Sequence, residues 1–186
     1  MPFDFIPSAI PEVIIIEPRI YTDARGFFME TYKNSEFVKC GIQQIFVQCN
    51  QSRSARGVLR GLHYQKAPKA QCKLIWAVSG EIYDVVVDLR RGSPTYGNWF
   101  GLKLSAENRK MLYVPVGFAH GFCATSEEAA IIYLTTEEYE SSCERGVIWN
   151  DPELAIDWPV VEPVVSMRDG NWPTLKFADN NFHYND

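Results

Sequence analysis

Two of the three histidines in this chain lie in segments that otherwise have the composition of buried strands. His63 follows Gly-Val-Leu-Arg-Gly-Leu, and His120 lies within Val-Gly-Phe-Ala-His-Gly-Phe. Histidine accepts and returns protons near neutral pH more readily than any other side chain. Both residues are therefore candidates for proton-transfer chemistry, with a hydrogen-bonded core histidine as the alternative for His63.

Arg60 and His63 lie three residues apart in one predicted strand. Strict alternation places their side chains on opposite faces of a sheet. They share a cavity only if a β-bulge interrupts the strand between them, and Gly61 is the residue best suited to such a bulge. Without the bulge, Arg60 is an ordinary surface residue.

Two carboxylates could orient these histidines. Asp84 interrupts an apolar strand, where alternation places it on the same face as Ile82 and Val86. A buried carboxylate needs a partner, and an imidazole is a reasonable one because the carboxylate fixes its tautomer and raises its basicity. Asp169 is a second candidate, with a turn cap as its more frequent role.

Lys73 and Tyr133 are ambiguous from pattern alone. Lys73 begins the strand-like run Lys-Leu-Ile-Trp-Ala-Val, and a lysine at a strand end is usually solvated. Tyr133 lies in another apolar run, where it is most often a plain strand residue. A phenol can also donate a proton to a carbanion or bind an enolate oxygen.

The residues do not favour a catalytic metal site. The chain has no His-x-His pair, and His63, His120 and His183 are its only histidines. A catalytic transition-metal site normally needs more such ligands. The sequence also contains no glycine-rich phosphate loop, nucleotide fingerprint or nucleophile elbow.

The composition indicates one globular domain. The 186 residues carry a formal net charge of -5, which argues against a nucleic-acid or membrane-surface binder but leaves room for a local basic pocket. Five cysteines without close pairing suggest reduced thiols. The N-terminus does not resemble a signal peptide, and no apolar run approaches the ~20 residues of a membrane helix. We expect a soluble cytoplasmic protein.

Short runs rich in Val, Ile, Tyr and Phe alternate with turn residues, which predicts an antiparallel β-sandwich or barrel. The predicted strands cover residues 13–17, 27–32, 45–50, 57–64, 73–78, 82–89, 99–104, 111–114, 121–124 and 129–136. A short helix is predicted at 35–40 after the cap-like Asn34, and a turn at 105–108. The single domain, 1–186, would have its core at about 10–136 and a C-terminal wrapping segment at 137–186.

Seven blocks of the sequence together resemble the dTDP-4-dehydrorhamnose 3,5-epimerase family. They occur in the family's order at residues 23–30, 48–50, 57–65, 80–90, 93–97, 114–122 and 149–152. The resemblance implies an all-β, cupin-like jelly roll with a few short peripheral helices, working as a homodimer without metal or cofactor. It also implies inversion of C3 and C5 of dTDP-4-dehydro-6-deoxy-D-glucose through an enolate, which gives dTDP-4-dehydro-L-rhamnose.

The resemblance also assigns roles to residues. It implies that His63, supported by Asp169, is the general base and that Tyr133 is the general acid. Lys73 and His120 would stabilise the enolate and bind substrate, with Asp84 behind His120. The remaining implied contacts to the nucleotide sugar are Arg25, Glu30, Gln48, Asn50, Arg60, Tyr139, Glu144 and Arg168. At Arg168 related sequences often carry lysine, which changes the geometry of the contact but not its charge.

Several functions fit these residues. Close relatives of the family epimerise only C3 or only C5, and the catalytic residues do not separate these outcomes. A non-catalytic cupin that binds a sugar nucleotide is an alternative of another class, and a metal-dependent cupin enzyme is a third. For an epimerase and for a sugar-nucleotide binder alike, the expected partner is a dTDP-4-keto-6-deoxyhexose, with no nucleic acid or membrane involved.

Overall fold

The computed structural model describes residues 2–184, most of which form β-strands and the loops between them. The strands are β1 Phe3–Pro7, β2 Ile14–Pro18, β3 Tyr21–Asp23, β4 Gly26–Phe28, β5 Gln48–Ala55, β6 Leu59–Gln65, β7 Lys73–Ser79, β8 Glu81–Asp88, β9 Trp99–Ser105, β10 Met111–Val114, β11 Phe118–Ala124, β12 Glu128–Thr135 and β13 Glu144–Gly146. The helices are α1 Asn34–Lys39 and two 3-10 helices, Asp169–Asn171 and Leu175–Phe177. Within residues 2–184, no helix has the length and apolar character needed to cross a membrane.

The strands form two main sheets. The larger sheet has the order β1-β2-β10-β7-β12-β5, and the smaller has the order β13-β6-β11-β8-β9. Neighbouring strands in both sheets are antiparallel, while β3 and β4 form a separate hairpin. The predicted all-β, jelly-roll sandwich with a few short helices is confirmed.

Apolar side chains fill three layers of this sandwich. Between the sheets, residues such as Ile75, Val86 and Phe122 are buried against one another. The outer face of the smaller sheet is covered by the C-terminal segment, which contributes Leu154, Trp158, Leu175, Ala178 and Phe182. Helix α1 covers the outer face of the larger sheet through Phe37. Both sheets therefore have apolar side chains packed against each of their two faces.

Several predicted strand boundaries were wrong. Of residues 27–32 only the first two lie in a strand, the hairpin strand β4, and the strand predicted at 45–50 begins at Gln48. Strands β1, β3 and β13 were not predicted at all. All three are short, and β13 contains only Glu-Arg-Gly, so none shows an apolar alternation long enough to detect. Strand β1 precedes the predicted core, and β13 lies inside the predicted wrapping segment.

The helix predicted at 35–40 is confirmed as α1, one residue earlier, but the predicted cap is wrong. Asn34 is the first residue of α1 and not its cap, and its side chain accepts a hydrogen bond from the Tyr32 hydroxyl at 3.1 Å. The turn at 105–108 is confirmed. There the Asn108 side chain accepts from the Ser105 amide and the Ser105 hydroxyl accepts from the Asn108 amide, at 3.0 and 2.9 Å.

Candidate active site

A cavity of about 550 Å³ opens between the two sheets and the C-terminal segment. Nine of the predicted site residues line it, namely Arg60, His63, Lys73, His120, Tyr133, Tyr139, Glu144, Arg168 and Asp169. A smaller annex of about 90 Å³ shares His63, Lys73 and Tyr133 with the cavity and is also lined by Gln48 and Asn50. Asp84 lies directly behind the cavity wall.

The predicted bulge brings Arg60 and His63 to the same cavity. The register between β6 and β11 shifts by one residue, so that His63 is opposite His120 whereas Arg60 is opposite Phe122. Gly61 has φ +132°, and a methyl group there would lie 2.5 Å from the Cα of Gly121. Only glycine tolerates both conditions, so the bulge depends on this residue.

His63 forms the first of two histidine–aspartate pairs. Its Nε2 lies 2.7 Å from Oδ1 of Asp169, which the first 3-10 helix of the C-terminal segment carries. Burial opposes ionisation of the Asp169 carboxyl, but its interaction with His63, the hydrogen bond from the Gly61 amide and the charge of Arg168 together lower the pKa of Asp169. The carboxylate accepts the Nε2 proton, which leaves Nδ1 of a neutral His63 as the basic nitrogen. Asp169 is therefore not a turn cap.

His120 forms the second pair. Its Nε2 lies 2.9 and 3.0 Å from the two carboxylate oxygens of Asp84, on the adjacent strand β8. Asp84 is completely buried, in line with its place on the apolar face of β8. The hypothesis that Asp84 has a histidine partner is confirmed. Since His63 and His120 are register partners on β6 and β11, both imidazoles face the same cavity.

Lys73 is half-buried at the start of β7 and lines both the cavity and the annex. Its Nζ lies 3.5 Å from the carbonyl oxygen of His63. Desolvation lowers the pKa of Lys73 to about 8, against the opposing effect of the Asp84 and Glu144 carboxylates. The solvated strand-end interpretation was wrong, because this end of β7 is covered by the other sheet.

Tyr133 lies across the cavity from the histidines. It belongs to β12 of the larger sheet, whereas His63 and His120 belong to the smaller one. Burial raises the pKa of the Tyr133 phenol, with a further contribution from Glu144 and an opposing one from Arg60. The phenol therefore keeps its proton at neutral pH and can act as an acid.

Charged groups surround the cavity mouth. Arg60 is exposed there and donates to the Ser54 hydroxyl at 3.1 Å. Glu144 Oε2 accepts from the Tyr139 hydroxyl at 2.8 Å and from the Arg168 guanidinium at 2.7 Å. The mouth therefore presents two guanidinium groups, one of which is already paired with a carboxylate.

Two predicted substrate contacts lie away from the cavity within this chain. Arg25 lies at the tip of the β3–β4 hairpin, where it pairs with Asp23 at 2.6 Å. Glu30 follows the hairpin, and its carboxylate lies 3.5 Å from Lys33. Neither residue lines the cavity or its annex.

The described residues, 2–184, contain no group of three or more His, Cys, Asp or Glu side chains arranged to hold a metal ion. The two cavity histidines each direct one ring nitrogen at their own aspartate. The absence of metal remains an expectation that rests on this donor set and on the family resemblance.

Sequence reasoning missed part of the cavity wall. Val164, Val165 and Ser166 line the cavity from the C-terminal segment, and a parallel bridge joins Val164 to Val58. Trp172 packs edge-on against His63 with ring centroids 6.2 Å apart. The segment has no periodic pattern, so its only sequence signal was the presence of Asp169 beside these residues.

The cupin-like fold holds two histidine–aspartate pairs, a lysine and a tyrosine around one cavity, which is the equipment of an enzyme that transfers protons. The model of the dTDP-4-dehydrorhamnose 3,5-epimerase family matches residues 7–177. The dTDP-4-dehydrorhamnose 3,5-epimerase of Pseudomonas aeruginosa is 53% identical, covering 92% of this chain and 95% of its own. The chain belongs to the dTDP-4-dehydrorhamnose 3,5-epimerase family.

Two further relatives bear on substrate and outcome. The crystal structure of the dTDP-6-deoxy-D-glucose-3,5-epimerase from Legionella pneumophila, in complex with dTDP-4-keto-L-rhamnose, has a TM-score of 0.92 and 45% identity. That similarity covers 95% of each chain. The dTDP-4-dehydrorhamnose 3-epimerase of Streptomyces niveus is 44% identical, covering 88% of this chain and 79% of its own.

Proposed function

We propose that this family member inverts both C3 and C5 of dTDP-4-dehydro-6-deoxy-D-glucose, with His63 as the base and Tyr133 as the acid. The supporting observation is that the two side chains reach one cavity from opposite sheets. Inversion at carbon requires removal of a proton from one face and delivery to the other. A base and an acid on opposite walls meet that requirement.

The first step is removal of a proton beside the sugar ketone. Nδ1 of His63 takes the proton from C3 while the C–H electron pair forms a C3–C4 double bond and the carbonyl electrons move to oxygen. Asp169 stabilises the imidazolium that results, through its bond to Nε2. The carboxylate does not itself take the proton, since its pKa is lowered in this site.

The enolate oxygen then needs donors. Lys73 and His120 line the same cavity as His63, Lys73 from β7 of the larger sheet and His120 from β11 of the smaller one. With Asp84 bound to Nε2, His120 donates from Nδ1 when both ring nitrogens are protonated, and the buried carboxylate compensates that charge. One preorganised donor to such an oxygen is typically worth ~3–4 kcal/mol of barrier.

Tyr133 completes the inversion. Its hydroxyl transfers a proton to the opposite face of C3, and the enolate electrons return to carbon and restore the ketone. Solvent then removes the proton from His63 and returns one to the phenolate, so that the pair is reset for C5. The sugar ring must reorient in the cavity between the two inversions.

Substrate binding is assigned to the charged mouth. Arg60 would neutralise the diphosphate together with an Arg25 supplied by the hairpin of a second copy, which reconciles an acidic protein with an anionic substrate. Gln48 and Asn50 line the annex, although the amide oxygen of Gln48 already accepts from the Tyr139 amide at 2.9 Å. Tyr139 and Glu144 would contact the sugar nucleotide from the remaining side.

A homodimer would explain the position of Arg25 and Glu30. The β3–β4 hairpin exposes Tyr21, Phe27 and Phe28, which are 49%, 54% and 64% accessible. If this hairpin extends onto a second copy, Arg25 reaches the other copy's cavity and its exposed aromatic side chains become buried. A cytoplasmic location is likewise proposed, supported by five cysteines that are all free thiols.

Solvent deuterium incorporation tests the proposed function. The 4-keto sugar is incubated with enzyme in deuterated water, and the labelled carbons of the recovered product are counted by NMR. We expect label at both C3 and C5. No exchange above the enzyme-free rate would indicate a binding protein and not an enzyme.

A single-site epimerase is the second candidate, because one relative at 44% identity bears the name 3-epimerase. In that case label enters C3 alone, and C5 retains its original hydrogen. The catalytic side chains are the same in both mechanisms, so only the labelling pattern separates them.

A further inference from the structure

We infer that Gln65 is a positioning residue for substrate binding. Its carboxamide holds the loop of residues 136–140, called here the Tyr139 loop, so that Tyr139 closes one side of the cavity mouth. The inference deepens the proposed function and rests on it, since it assigns the effect of Gln65 to binding of the sugar nucleotide and not to proton transfer.

Gln65 is buried, and the hydrogen bonds observed for its side chain all go to backbone groups of two loops. It lies at the end of β6, two residues after His63, and is only 5% exposed. Its Nε2 donates to the carbonyl oxygens of Lys69 and Glu138 at 2.7 and 3.2 Å. Its Oε1 accepts from the amide of Glu140 at 2.7 Å. The carboxamide therefore binds the backbone on both sides of Tyr139.

Other side chains hold the same loop more weakly. Gln71 Nε2 donates to the carbonyl oxygen of Glu137 at 2.8 Å, and Thr135 Oγ1 donates to the same atom at 2.9 Å. Gln48 accepts from the Tyr139 amide at 2.9 Å. Each of these side chains makes one bond to the loop, whereas Gln65 makes two and also ties it to the β6–β7 loop through Lys69.

The loop matters because of the side chain it carries. Tyr139 lines both the cavity and the annex, and its hydroxyl donates to Glu144, which also accepts from Arg168. Gln65 lines the annex but not the main cavity, and its carboxamide makes no bond to His63 or Asp169. Loss of the carboxamide should therefore loosen the mouth and leave the catalytic pair in place.

The first experiment compares Gln65→Met with Gln71→Met. Methionine keeps the length and volume of glutamine but cannot make these hydrogen bonds. We expect Gln65→Met to raise the KM for the 4-keto sugar and the Kd for dTDP by about tenfold, with kcat changed less than about threefold. Gln71→Met loses one bond at the start of the loop and should raise both constants less than about threefold.

The second experiment asks whether Gln65 acts through Tyr139. If it does, adding Gln65→Met to a Tyr139→Ala variant should change the Kd for dTDP less than about twofold, because the side chain being positioned is already gone. Effects that multiply in the double variant would overturn the inference. So would a Gln65→Met variant that loses kcat at unchanged KM, which is the result expected if the carboxamide orients the base.

A binding measurement and a second variant separate failure of this inference from failure of the proposed activity or of folding. The Kd for dTDP is measured by calorimetry and does not require epimerisation, so it remains informative even if no deuterium exchange is found. If Gln65→Met does not fold, Gln65→Glu keeps the acceptor to the Glu140 amide while placing a carboxylate against two carbonyl oxygens. It should raise the Kd for dTDP as well, and an unchanged Kd would contradict the inference.

Discussion

The two histidine–aspartate pairs have the same chemistry but different surroundings. His120 and Asp84 lie on adjacent strands of one sheet, with side-chain exposures of 9% and 0%. His63 and Asp169 are joined across 106 residues of sequence, and the His63 side chain is 21% exposed. One pair is thus part of a rigid sheet, whereas the other is completed by the C-terminal segment.

This difference matches the two roles that we propose. A base must release its proton to solvent after each half-reaction, which suits the more open His63. An enolate donor works best where water is excluded and its own geometry is fixed, which suits the buried His120. Both pairs consist of a histidine and an aspartate, so it is their different exposure to solvent that suits His63 to proton transfer and His120 to stabilising the enolate.

The largest effect is expected for His63→Asn, which removes the base of the more exposed pair. His63→Asn removes the base, so kcat and wash-in of solvent deuterium should both fall by about 10²–10⁴-fold. The fold should survive, because the partner Asp169 keeps Arg168 and the Gly61 amide nearby. NMR of the recovered sugar measures the wash-in. Exchange at the wild-type rate would remove His63 from the role of base.

His120→Asn should affect both stability and rate. It leaves the fully buried Asp84 without its imidazole partner, and breaking a buried pair in this way costs about 3–5 kcal/mol. Urea unfolding measures that loss, and His63→Asn serves as the matched control with a smaller loss. In the folded fraction kcat should fall by about 10²–10³-fold through loss of one enolate donor. Equal destabilisation by the two substitutions would contradict the contrast between the pairs.

Lys73, which belongs to neither pair, predicts how the activity depends on pH. Because desolvation lowers its pKa to about 8, kcat/KM should decline above that pH, by up to about tenfold per pH unit, as the ammonium loses its proton. In Lys73→Arg the guanidinium stays charged, so the decline should move to higher pH. An identical alkaline profile in both proteins would show that another group controls it.

The same pKa also predicts a direction for stability. The unfolded chain keeps the ordinary lysine pKa of 10.5, so between pH 8 and 10.5 it binds more protons than the folded protein. The free energy of unfolding contributed by Lys73 therefore rises with pH through this window. Lys73→Met should remove that dependence in urea unfolding curves.

The smallest expected effect lies outside both pairs. Arg60→Ala removes a cation at the mouth, so KM should rise about tenfold while kcat stays within about threefold of wild type. Steady-state kinetics of the 4-keto sugar measure both constants. A fall in kcat at constant KM would place Arg60 in the chemistry and not in binding.

Much of the fold could be predicted from local pattern. Strands such as β7, β8 and β12 have long apolar or alternating runs, so composition alone located them. Strands β1, β3 and β13 were missed because each has only three to five residues and pairs with a single neighbouring strand. Pairing between distant segments cannot be derived from the period of a single segment.

The site divides in the same way. The bulge at Gly61 and a histidine partner for Asp84 followed from the residues, because each resolved a local conflict in the alternation of a strand. The burial of Lys73 could not be predicted in this way, because the sequence of one strand does not show which of its ends the other sheet covers. Gln65 was missed because one of its partners is a carbonyl oxygen 73 residues away. Roles for the separate catalytic groups came from the family resemblance.

The central claim is that His63 and Tyr133 act on opposite faces of the sugar carbon. Assaying Tyr133→Phe in deuterated water tests it most directly. We expect substrate recovered from this variant to carry deuterium at C3 with its configuration retained, since His63 can remove a proton and return a deuteron on its own face. The inverted product should form about 10²–10⁴-fold more slowly than with the wild-type enzyme. Inversion at the undiminished rate would show that the proton on the far face comes from a group other than Tyr133.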